Sequence, residues 1–169
     1  MKRYLFILAT AAALCVPAAA LADATPNASQ LAVQSCKTQQ SQLGAATFKA
    51  TYGANAYGKC VSKAMQSASA ALQNAAEACK TEQADANFAA AHNGQTFNAV
   101  YGSSSSKGKG ADANAYGKCV SLKAKASTQA HTQAVVSAAK SCKAARTANP
   151  AAFAKPNAFG KCVALKTKS

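Results

Sequence analysis

Asn55-Ala56-Tyr57-Gly58-Lys59-Cys60-Val61 returns as Asn114-Ala115-Tyr116-Gly117-Lys118-Cys119-Val120 and again as Asn157-Ala158-Phe159-Gly160-Lys161-Cys162-Val163. A second phrase, Cys-Lys, stands upstream of each copy, at Cys36-Lys37, Cys79-Lys80 and Cys142-Lys143. The first two units also share Thr47-Phe48 through Tyr52-Gly53 with Thr96-Phe97 through Tyr101-Gly102. Three copies of one unit imply a repeat architecture, in which neighbouring units bury together what none buries alone. The units run over about 27–64, 72–124 and 135–168. Their paired cysteines are separated by 24, 40 and 20 residues; the excess in the second unit comes largely from polar insertions such as Ser103 to Gly110, which mark a loop.

Each copy leads into an Ala-rich stretch. Cys60 to Cys79 and Cys119 to Cys142 contain neither Gly nor Pro, so both read as helix, with the Asn of the phrase as N-cap. The Gly falls in the first turn, where its missing side chain lets another backbone approach closely. Gly44, Asn87 and Asn149 (before Pro150) lie seven or eight residues beyond the opening cysteines and act as stop signals. The expectation is an all-α fold of four helices, at about 26–43, 56–86, 115–148 and 158–167, with loops around 44–55, 88–113 and 150–156. Val61, Met65, Ala68, Leu72, Ala75 and Cys79 step by 4, 3, 4, 3 and 4, the spacing of a seam facing a neighbouring helix.

Helices of this length constrain the sulfur chemistry. At about 1.5 Å rise per residue, Cys60 and Cys79 are held roughly 28 Å apart, and Cys119 and Cys142 roughly 34 Å apart. A disulfide needs Cα atoms within about 7 Å. The predicted pairs are therefore Cys36–Cys60, Cys79–Cys119 and Cys142–Cys162, each tying the end of one helix to the start of the next. The whole is a set of antiparallel helical hairpins in a four-helix arrangement, built from three disulfide-stapled repeats.

Such staples are needed. The chain has 169 residues, of which 46 are Ala, and a methyl group buries far less apolar surface than a Leu or Phe side chain. Residues 1–22 read as a cleavable secretory signal: Lys2 and Arg3 are the charged region, Tyr4 to Val16 the apolar run, and Ala20-Leu21-Ala22 the cleavage site. The run is shorter than the roughly 20 residues a spanning helix needs. Leu14 before Cys15 lacks the small residue that lipid attachment wants. Cleavage removes Cys15, the odd one of seven cysteines, and leaves an even set in an oxidising compartment, in one repeat domain over 23–169. In that mature chain Leu, Val and Phe total only 17 of 147 residues and Ile is absent, a composition that on its own suggests disorder.

Motifs for chemistry are scarce. Gly53-Ala54-Asn55-Ala56-Tyr57-Gly58-Lys59-Cys60 comes within one residue of the phosphate-loop pattern, but no strand precedes it and Cys60 replaces the hydroxyl that would ligate magnesium. No C-x-x-C or H-x-x-x-H spacing occurs, so no metal or other cofactor is expected. His131 shares a helical face with Ala124, Val135, Ala138 and Cys142, where a packed imidazole is expected; His92 lies in the second loop with Asn93 and Gly94. The five acids, Asp23, Glu77, Glu82, Asp85 and Asp112, form no catalytic pair; Glu77 and Glu82 read as helix-surface charges near Lys80. With every mature cysteine committed to a staple and no nucleophile elbow present, a non-enzymatic role is expected.

Charge is the remaining clue. No acidic residue follows Asp112, whereas ten basic ones do, and the mature chain carries 17 basic against 5 acidic residues. At about 100° per residue, Lys118, Lys125, Lys140 and Lys143 fall within roughly 60° of one another on the third helix, a basic stripe interrupted by Leu122 and Val136. With Arg146 and Lys161 these residues are the candidate anion-binding set. The expected partner is an anionic polymer, an envelope polysaccharide or nucleic acid, held without sequence specificity and released by salt. Arg146 is the single mature arginine, so bidentate recognition is poorly supplied. The alternatives are an anionic membrane surface disrupted by cationic helices, or a structural spacer whose lysines only keep it in solution.

The repeated Asn-Ala-[Phe/Tyr]-Gly-Lys-Cys-Val phrase, with Cys-Lys upstream, resembles that of exported, Ala- and Lys-rich cysteine-repeat proteins of high-GC bacteria. The resemblance covers most of the mature chain. It implies the repeat and no activity, cofactor or catalytic residue, and the long second loop departs from its regularity.

Overall fold

A computed structural model describes residues 26–102 and 114–168; the expected secretory signal at 1–22, Ser103 to Gly110 and Asp112 lie outside the described residues. Helix α1 spans Ala28–Tyr52, α2 Ala56–Ala84, α3 Phe88–Ala91, α4 Phe97–Tyr101, α5 Ala115–Ala148 and α6 Ala158–Lys168, with a 3-10 turn at Pro150–Phe153. Among the described residues there is no strand. The long helices α1, α2 and α5 pack on one another, and α6 lies against α5 and touches α1.

The N-terminus of α1 is held by a capping box: Asn27 Oδ1 accepts from the Gln30 amide at 2.8 Å, and Gln30 Oε1 accepts from the Asn27 amide at 3.2 Å. Gly44 does stop the first stretch, at φ 71° and ψ 161°. A Cβ built there would meet nothing within 4 Å, so glycine is required for its backbone angle and not for space. Helix then resumes to Tyr52, through much of the region expected to be loop, because Thr47, Phe48 and Thr51 are buried there. The second loop is likewise partly helical. Phe88 and Phe97 anchor α3 and α4, their rings 5.5 Å apart edge to face. Helix α2 ends at Ala84 with Asp85 as C-cap, two residues before the expected boundary.

The Asn of the repeated phrase works differently from the expected side-chain cap. Asn55 and Asn157 adopt positive φ, 52° and 61°, and neither Asn55 nor Asn114 makes a capping bond through its side chain. Instead the three Asn carbonyls accept the first helical bonds, from the amides of Lys59, Lys118 and Lys161 at 3.1, 2.9 and 3.0 Å. Asn suits the left-handed turn because its short polar side chain tolerates it. The Gly three residues on has two separate reasons. A Cβ at Gly58 would sit 2.8 Å from Asn55 Nδ2, whereas at Gly160 it would sit 2.8 Å from the Thr51 carbonyl oxygen. Gly160 is thus where α1 and α6 meet backbone to backbone.

All three staples form as expected: Cys36–Cys60, Cys79–Cys119 and Cys142–Cys162, with Cα separations of 5.9, 6.0 and 6.1 Å. Each lies in its own hydrophobic cluster. Cys36–Cys60 packs with Leu43, Phe48, Tyr52 and Tyr57; Cys79–Cys119 with Leu31, Phe88, Phe97 and Val120; Cys142–Cys162 with Val135, Phe153, Phe159 and Val163. One sulfur bridge and a few aromatic rings make up the core of each repeat. The α2 seam is displaced from the expected one. Cys60, Ala64, Ala68, Ala71, Ala75 and Cys79 are buried, while Met65 is 41% exposed and Val61 and Leu72 are half-buried. Alanine at the contact lets the helix axes approach, so the larger side chains flank the seam instead of filling it.

Candidate anion-binding surface and groove

The six candidate cations, five on α5 and Lys161 on α6, do not form one stripe. Val136, near the centre of that face, is 2% exposed, and Thr132, one turn earlier, is bonded to α1; Leu122 by contrast is 57% exposed. Lys118 and Lys125 are left half-buried on one side of this contact, and Lys140, Lys143 and Arg146 are exposed on the other. The Arg146 guanidinium lies 5.0 Å from the centre of the Phe159 ring, a cation–π contact that joins α5 to α6.

The staples assemble charge that a single helix does not. Each opening cysteine is followed by Lys and each closing cysteine is preceded by Lys, so the three bonds bring together Lys37 with Lys59, Lys80 with Lys118, and Lys143 with Lys161. With bonded Cα atoms about 6 Å apart and neighbouring Cα atoms about 3.8 Å apart, the backbones of each pair lie within about 14 Å. Of these lysines all but the half-buried Lys118 are exposed. The signal was present in the sequence as soon as the cysteines were paired; placing the cations on one helical wheel hid it.

Glu82 is more than a surface charge near Lys80. Its Oε1 lies 2.8 Å from Lys123 Nζ on α5, and its Oε2 accepts from the Tyr101 hydroxyl at 2.9 Å. The Lys123 bond holds the Glu82 carboxyl below the usual carboxylate range and pushes the Lys123 ammonium up. Burial, then the bond to Glu82, pushes the Tyr101 hydroxyl up. Lys123 is therefore engaged in binding α5 to α2. His131, expected to be packed, is exposed at the edge of the α2–α5 contact, with Nε2 3.4 Å from Ser67 Oγ. His92 stacks on Phe88 with ring centres 3.8 Å apart, and its Nδ1 donates to the Phe88 carbonyl at 2.8 Å.

Between α1 and α5 runs a polar chain with no counterpart in the expectations. Tyr52 Oη donates to Gln39 Oε1; Gln39 Nε2 donates to Ser35 Oγ at 3.1 Å; Ser35 and Thr132 hydroxyls meet at 2.6 Å; Thr132 Oγ1 donates to the Thr128 carbonyl at 2.8 Å. Because Thr132 spends its proton on Thr128, Ser35 must donate to Thr132, and every proton in the chain has one direction. Gln39 is 2% exposed, so these bonds replace its water. Burial pushes the Tyr52 hydroxyl up to about 12, with the Gln39 bond pulling the other way.

Beside this chain the two helices part to form a groove of about 410 Å³. Its floor is Leu31, Ser35, Thr128 and Thr132, all buried; Gln34, Thr38, Lys125, Gln129 and Gln133 stand around it. Thr128 Oγ1 is buried and has no hydrogen-bond partner among the described residues, which costs about 1–3 kcal/mol. Lys125 is the only ionisable group among the described lining residues, and they include no aromatic ring. Among the described residues no helix is long and apolar enough to cross a membrane. No protein-family model matches the chain, and neither a curated protein nor a solved structure shows significant similarity to it.

Proposed function

We propose that the mature protein is exported and acts as a non-enzymatic, disulfide-stapled cationic scaffold that holds anionic polymers without sequence specificity. The observation that carries this reading is the convergence of Lys-Cys and Cys-Lys at every staple, which sets two cations beside each rigid covalent joint. The cations concentrate further at the α5–α6 end. Lys140, Lys143, Arg146, Lys155, Lys161, Lys166 and Lys168 are all exposed there, in a stretch after 113 that holds no acid. A polymer with closely spaced anions releases counterions when it meets such pairs, and that release drives binding. Lysine suits this role because it acts as a point charge and reads no base edge.

Retention of the oxidised protein on an immobilised polyanion, measured at several salt concentrations, tests the reading. Binding is expected to weaken linearly on a log–log plot, and Lys143→Gln with Lys161→Gln is expected to reduce the slope by about 2. A slope unchanged by that double substitution overturns the staple-pair assignment. Dye release from anionic vesicles at comparable protein concentration overturns the polymer reading in favour of membrane disruption; failure to bind any polyanion leaves a spacer role.

A further inference from the structure

We propose that the α1–α5 groove is a saccharide subsite that takes one acidic sugar unit, a carboxylate-bearing pyranose, from a polyanionic glycan. The inference rests on the polymer-binding reading and names the polymer class. Two observations support it.

The first is the lining. Gln34, Gln129 and Gln133 each offer both a donor and an acceptor, and Thr38, whose hydroxyl donates to the Gln34 carbonyl at 3.0 Å, offers an acceptor. Sugar hydroxyls donate and accept too, so a row of amides matches a ring of hydroxyls better than it matches phosphate oxygens, which only accept. Lys125 then places one cation against one carboxylate, with no acidic group among the described lining residues to oppose it.

The second observation is size and rigidity. About 410 Å³ falls in the range of small-ligand sites and accommodates a sugar ring with part of its neighbours. Ser35 and Thr132 on the floor are locked by the Gln39 chain, so the floor does not have to be ordered when a ring binds. Nucleic acid is disfavoured at this place because the described lining residues include neither an aromatic ring nor an arginine on which a base could stack.

The experiment is an amide chemical-shift titration of the oxidised, isotope-labelled protein with three probes: trigalacturonate, the neutral maltotriose and hexathymidylate. Trigalacturonate is expected to shift the amides of Thr38, Thr128, Gln129, Thr132 and Gln133 together, and maltotriose to shift them only at about tenfold higher concentration. Lys125→Gln should weaken trigalacturonate about tenfold, as expected for one charge-assisted hydrogen bond, and Gln129→Ala by a smaller factor, with unchanged circular dichroism. Silent groove amides with trigalacturonate, equal shifts with maltotriose, or stronger shifts there with hexathymidylate each overturn the proposal. Polyanion retention by the same samples separates the two claims. Retention with a silent groove sinks only the subsite; groove binding without retention sinks only the staple-lysine surface.

Discussion

Removing Cys79–Cys119 by the double substitution Cys79→Ala/Cys119→Ala is expected to lower stability by about 4 kcal/mol. The bond closes a 40-residue loop, and on the chain-entropy view this restriction of the unfolded chain stabilises the fold by about 3.9 kcal/mol at 25 °C. The 24- and 20-residue loops of Cys36–Cys60 and Cys142–Cys162 give about 3.5 and 3.3 kcal/mol. Together they contribute about 11 kcal/mol, comparable with the whole stability of an ordinary domain. That scale fits clusters containing only two or three aromatic rings beside each staple. Urea unfolding followed by helical circular dichroism gives the free energies for the parent, each double variant and the fully reduced protein, with thiol content verified by mass. The expected order of loss is Cys79–Cys119, then Cys36–Cys60, then Cys142–Cys162, with full reduction unfolding most of the chain. A loss below about 1 kcal/mol for every pair, or a reduced protein with the parent's unfolding midpoint, refutes the reasoning.

Further outcomes follow from single contacts. Tyr52→Phe removes the donor to buried Gln39 Oε1 and is expected to cost about 1–3 kcal/mol by urea unfolding at neutral pH. Because the folded Tyr52 value is raised, its contribution is complete below about 10 and lost as pH rises towards about 12, so the alkaline unfolding limb should be shallower in the variant. Glu82→Gln removes a half-exposed ion pair, expected to cost up to about 1 kcal/mol near neutrality. Its carboxyl is held low in the folded state, so that difference should disappear as pH falls below the ordinary carboxylate range, measured by thermal melts in steps of pH. Gly160→Ala drives a methyl to 2.8 Å from the Thr51 carbonyl and should destabilise by about 1–3 kcal/mol, whereas Gly58→Ala meets only the movable Asn55 side chain and should be nearly neutral.

The long helices and the sulfur pairing were legible before any coordinates, and for a geometric reason. An uninterrupted Ala-rich run between two cysteines is a rod that keeps its own ends apart, so each cysteine has to bond across a loop, and α5 ends where Asn149-Pro150 said it would. Which side of each rod faces its neighbours was not legible. With alanine on every side of α2, the larger Val61, Met65 and Leu72 look like the seam, yet close approach of the axes favours Ala64, Ala68 and Ala71, and Met65 is turned out. Long-range contacts settled the rest. Gln39 is buried because Tyr52, Ser35 and, through Ser35, Thr132 of a distant helix converge on it, a partnership that local spacing does not encode. Lys118, Lys125, Lys140 and Lys143 share an angle on an ideal wheel, but whether a face is open depends on what lies across it; α1 covers its middle at Thr132, and cations meet in pairs where the backbone is covalently joined.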